Sequence, residues 1–92
     1  MENIDYVYVC GFYTSDDNRG KNIIAVFKSE NDAIQKMIHL ANTEYSWLFR
    51  CDLTNLNITT YQDLNDYIIN KSKYYYYSEY VHYIYVEKVI LE

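Results

Sequence analysis

Tyr6-Val7-Tyr8-Val9-Cys10-Gly11-Phe12-Tyr13, a polar loop, and then Asn22-Ile23-Ile24-Ala25-Val26-Phe27-Lys28-Ser29-Glu30 decide how this 92-residue chain folds. The first run is rich in Tyr, Val and Phe, which suit a pleated surface. Its alternation puts Tyr6, Tyr8, Cys10 and Phe12 on one side of a strand and Val7, Val9 and Gly11 on the other. The second run alternates Ile23, Ala25 and Phe27 against Ile24 and Val26. Between them, Ser15, Asp16, Asp17, Asn18 and Gly20 are turn formers, so the two runs most simply close an antiparallel hairpin.

Working outward, Ser29 reads as a helix N-cap, with Glu30 and Asp32 in the first turn where the helix dipole favours negative charge. Ala33, Ile34, Met37, Ile38 and Ala41 follow as an apolar stripe at helical spacing. The stripe can be continued through Tyr45, Leu48 and Phe49, which favours one long helix to about Cys51. The rival is a break near Asn42-Thr43 and a short strand from Trp47 to Leu53. A connection with Leu56 and Ile58 tucked inward then leads to Thr60, a second N-cap three residues before Asp63. Tyr61, Leu64, Tyr67 and Ile68 share one face of that helix, which ends over residues 70–73. Tyr80 to Leu91 is a third strand, apolar on both sides. That pattern predicts a central position in the sheet, beside the first strand.

The order is strand, strand, helix, helix, strand. It predicts an α+β two-layer sandwich, with a small antiparallel sheet of about three strands and both helices on one face. The other face would lie open and carry aromatic side chains, as a partner-binding or dimer surface. Residues 1–92 are expected to form a single domain, since a chain this short holds one core.

Thirteen of the residues are tyrosine, more phenol than one small core encloses, so some rings must pack on one side and meet water or a partner on the other. The candidate protein interface is therefore Tyr74, Tyr75, Tyr76, Tyr77, Tyr80, Tyr83 and Tyr85. Thirteen acids against eight bases give a net charge of −5, which repels phosphate and disfavours nucleic acid even though the tyrosine run could stack bases. An acidic surface instead favours basic protein partners.

Other chemistry is thin. Cys10, His39, Cys51 and His82 lack the close pairs that structural zinc sites use. Cys10 sits within a strand, away from any helix N-terminus that would activate a thiol, and both cysteines read as reduced small fillers. Asp16-Asp17-Asn18-Arg19-Gly20 echoes a calcium loop, but its acids are adjacent and no Glu closes it. Gly11 and Gly20 are isolated, so no loop cradles phosphate. No cofactor, metal or catalytic residue is assigned, and the chain reads as a non-enzyme. No run approaches the ~20 apolar residues of a membrane span, and the acidic start Met1-Glu2-Asn3-Ile4-Asp5 is unlike a signal peptide. The expected location is the cytoplasm of a host cell or a virion.

The string Val7-Tyr8-Val9-Cys10-Gly11-Phe12-Tyr13, the polar loop, and Ile23 through Ala33 resemble a layout found in small uncharacterised proteins of phages and large DNA viruses. Tyr83-Ile84-Tyr85-Val86-Glu87-Lys88-Val89-Ile90-Leu91-Glu92 fills the closing strand of that layout. Tyr, Ile and Asn are frequent and Pro is absent, a usage that fits an A/T-rich genome. The resemblance implies the fold and a viral or phage origin, and carries no active site. The functional expectation is an accessory protein that binds another protein, host or viral, and blocks a defence or regulatory factor. The alternatives are a minor virion or self-assembling structural protein, a homo-oligomer, and a small nucleotide binder.

Overall fold

In a computed structural model, residues 5–15, 20–53, 57–73 and 81–91 are described. They form an α+β fold whose elements run β1 (Asp5–Thr14), β2 (Gly20–Phe27), α1 (Glu30–Asn42), α2 (Tyr61–Lys71) and β3 (His82–Leu91). The sheet is antiparallel, in the order β2-β1-β3. The hairpin and the pairing of the last strand with the first follow the expectation. The central place does not, because β1 occupies it and β3 is an edge. Apolar character on both sides of β3 has another cause: one side joins the core, and the other carries a tyrosine that roofs a glycine on β1.

The register from Tyr6↔Ile90 to Thr14↔His82 is unbroken between β1 and β3. Between β1 and β2 it slips: Cys10 faces Ala25, whereas Gly11 faces Ile23. Ile24 is thus an extra residue, a β-bulge, and it reverses the alternation read from the sequence. Ile24 and Ala25 both pack against the core, while Ile23 joins Val26 on the other side of the sheet.

Both helix starts form as their sequences dictate. Ser29 Oγ accepts from Asp32 N, and Thr60 Oγ1 accepts from Asp63 N, each satisfying an amide that the first turn leaves unpaired. Glu30 also reaches across, its carboxylate accepting from Tyr61 N at 3.0 Å, so the start of α1 holds the start of α2.

The long first helix does not form. α1 stops at Asn42, and a single 3-10 turn, Ser46–Leu48, follows. Thr43 donates from Oγ1 to His39 O, and its φ of −125° and ψ of −97° leave the helical region. The stop is tertiary. Asn42 Nδ2 donates to Leu53 O and Leu53 N donates to Asn42 Oδ1, both at 2.6 Å, so one carboxamide pairs a passing backbone as a strand residue would. The strand proposed for residues 47–53 reduces to one bridge, Phe49↔Ser72.

Ala33, Ile34, Met37, Leu40 and Ala41 of α1, Leu64 and Ile68 of α2, Leu48, Phe49 and Leu53 from the connection, and Tyr8, Cys10, Ile84 and Val86 from the sheet form one buried cluster. Each large aliphatic side chain enclosed there contributes about 1.5–3 kcal/mol. Leu53, fully enclosed, was not anticipated, whereas Ile58 packs partly against the cluster as expected. Leu56 lies outside the described residues.

Candidate interaction face

Register defines the two faces of the sheet, since directly paired residues share a face. Tyr8, Cys10, Ile84 and Val86 lie on the side of the buried cluster, and Phe12 packs against it. The second face carries Asp5, Val7, Val9, Gly11 and Tyr13 of β1, Lys21, Ile23 and Val26 of β2, and Tyr83, Tyr85, Glu87, Val89 and Leu91 of β3. Ile23 is 69% exposed, Val26 52% and Leu91 51%, large values for aliphatic residues.

Gly11 organises this face. It pairs with Tyr85, whose ring lies flat over the space a side chain at Gly11 would fill: a Cβ there would overlap Cζ and Oη of Tyr85 and sit 2.8 Å from Cε1. Tyr85 is only 8% exposed as a result. Burial raises its hydroxyl pKa, with smaller pushes from Glu87 and Tyr83. Tyr83 meets Tyr85 edge-on at 6.1 Å and stacks on Tyr13 at 5.1 Å, giving a continuous aromatic strip. Lys21 reaches across with its ammonium 5.4 Å from the Tyr85 ring centre and 3.7 Å from Glu87 Oε2.

The expected interface is therefore placed in two ways. Tyr83 and Tyr85 lie together on the second face, Tyr83 half-buried and Tyr85 largely roofing Gly11. Tyr74, Tyr75, Tyr76, Tyr77 and Tyr80 lie outside the described residues. Elsewhere, Tyr8 is buried against Tyr61, burial raising its pKa ahead of Glu30, and Tyr6 stands exposed with the Lys88 ammonium 4.1 Å from its ring centre. Ile23, Val26 and Gly11 were not foreseen as parts of one surface. The bulge that exposes Ile23 beside Val26 and the facing of Gly11 with Tyr85 both need the register, which no single strand displays.

The sheet edges are managed differently from the face. On the outer side of β3, Asn65 of α2 donates from Nδ2 to Val86 O at 2.8 Å and accepts from Val86 N at 2.9 Å. That carboxamide occupies the backbone pair to which an added strand would bond. On β2 the bulge at Ile24 interrupts the outer edge. At the loop end, Thr14 Oγ1 and His82 Nδ1 share a 2.8 Å hydrogen bond, and Ser15 pairs with Val81, its N donating to Val81 O and its Oγ accepting from Val81 N.

The remaining candidates are scattered. Cys10 is enclosed, its thiol donating to Ala33 O at 3.7 Å, and burial pushes its pKa up to about 11 against a small opposing pull from Lys36. A thiol held protonated in this way is a poor nucleophile. Cys51 and His39 are exposed, and His82 is paired with Thr14. Among the described residues no three His, Cys, Asp or Glu side chains converge, and no pocket opens. The Asp16 to Asn18 loop lies outside the described residues. No described helix is long and apolar enough to cross a membrane. Set against known protein families, curated proteins and solved structures, the chain matches none.

Proposed function

We propose that this chain is a non-enzymatic protein-binding module that works through the second face of its sheet. In this reading the fold is a two-layer sandwich: both helices cover the side of Tyr8, Cys10, Ile84 and Val86, and the other side is left for a partner. The observation that carries it is the joint exposure of Ile23 and Val26 beside a Tyr13–Tyr83–Tyr85 strip, with Leu91 exposed at the far end of β3 on the same face. Aliphatic side chains this exposed cost solubility and gain free energy when covered. Tyrosines held by stacking lose little conformational freedom when a partner arrives, which suits them to contact surfaces. The role matches that of an accessory protein of a phage or large DNA virus, which acts by occupying another protein's surface.

The test is paired affinity capture from cells expressing the chain, with the native protein and an Ile23→Lys/Val26→Lys protein as baits. Proteins retained by the native face and lost with the double variant, an untagged copy of the chain among them, support the reading. Identical captures from both baits refute it.

A further inference from the structure

Resting on the docking role of the second face, we infer that its occupant is a second copy of this chain, packed sheet against sheet about a two-fold axis. Three observations point to a self-partner.

The first is charge. The chain carries −5, but the strand residues of this face carry only Asp5, Glu87 and Lys21, a net −1, leaving −4 elsewhere. A strongly basic partner would find little to hold here, whereas a like-charged copy meets almost no repulsion. Lys21 and Glu87 are already paired, and both are about half exposed. In a two-fold arrangement each can pair with its counterpart across the interface, keeping the charges matched as water leaves.

The second is area. Strands of 10, 8 and 10 residues, about 4.8 Å apart and rising about 3.4 Å per residue, offer roughly 450 Å² of flat face. Two such faces bury roughly 900 Å² before side-chain relief is counted, close to the ~1,000 Å² at which specific interfaces begin. The size suits a small self-complementary contact and predicts a dimer of modest, micromolar affinity.

The third is elimination of the edges. Asn65 occupies the outer backbone of β3 at Val86, and the bulge at Ile24 breaks that of β2. Assembly by strand addition would have to displace one or the other, whereas face-to-face stacking leaves both in place.

Sedimentation equilibrium on the full chain, from micromolar to millimolar, tests this. The native protein is expected to pass from monomer to dimer mass. Val26→Lys and Ile23→Lys should each weaken association at least about tenfold, with far-UV circular dichroism unchanged. Gln35→Lys, an exposed change on α1 that adds the same charge, should leave association as it was. All three lower the net negative charge, so general repulsion alone predicts tighter association in each. A dimer indifferent to Val26→Lys and Ile23→Lys overturns the face geometry. A native chain that stays monomeric while the face captures another protein overturns the self-partner and leaves the docking role standing. A monomer with no face-dependent capture overturns both.

Discussion

Gly11→Ala is the sharpest perturbation the fold offers, because its cost falls on one identifiable ring. The new methyl would occupy the space of the Tyr85 ring tip, so the ring must swing away. Tyr85 is 8% exposed, and returning roughly 100 Å² of it to water at about 25 cal/mol per Å² costs about 2.5 kcal/mol. Alanine in a strand recovers about 0.5–1 kcal/mol of the entropy glycine loses, leaving a net loss of about 1.5–2 kcal/mol. For a domain of this size that lowers Tm by roughly 6–16 °C. The decisive step is the cycle with Tyr85→Val, a side chain too short to reach over position 11. In that background Gly11→Ala should turn neutral or stabilising by about 0.5 kcal/mol, so the coupling is about 2 kcal/mol. Urea unfolding of the four proteins measures it. A coupling below about 0.5 kcal/mol would refute the claim that Gly11 exists to seat Tyr85.

Asn65→Ala removes two hydrogen bonds to Val86 and should cost about 2 kcal/mol by urea unfolding. Asn65→Asp keeps the acceptor for Val86 N but sets a carboxylate against Val86 O, raising that carboxyl's pKa in the folded state. The variant should therefore be closest to native stability in acid and lose ground as pH rises through the raised value. In the native chain, the raised pKa of Cys10, about 11 against 9.0 unperturbed, contributes stability that is whole below pH 9 and lost between pH 9 and 11. Tyr8, Tyr45 and Tyr85 are raised as well, so the loss continues above pH 10; urea midpoints that stay flat from pH 8 to 11 would contradict this. A thiol-specific chromogenic reagent should titrate Cys51 at once and Cys10 only at the rate of unfolding. Ser29→Ala and Thr60→Ala should each lower stability by about 1 kcal/mol, additively, as read from unfolding midpoints.

What could be read from the sequence was local. The caps at Ser29 and Thr60, the hairpin, and the apolar stripes of both helices depend on neighbours within a few positions, and all of these form. What could not be read depends on partners far along the chain. Asn42 carries little stop signal by itself; α1 ends there because the side chain is committed to Leu53. Period-2 alternation put Ile23 with Ala25 and Phe27, and only pairing with β1 reveals the inserted Ile24. Tyrosine abundance drew attention to Tyr83 and Tyr85, but gave no sign that a glycine would hide most of Tyr85.

The pairing of β1 with β3 also governs how the molecule comes into being. Asp5 lies beside Leu91, and Thr14 beside His82, so the sheet's longest ladder joins positions 68 to 86 residues apart. Contacts so remote must wait for a large loop to close, which slows folding. During synthesis the hairpin and α1 emerge first, with one whole side of the central strand unsatisfied. The open backbone edge of β1 then stays reachable by chaperones, or by another nascent copy, until β3 leaves the ribosome and docks.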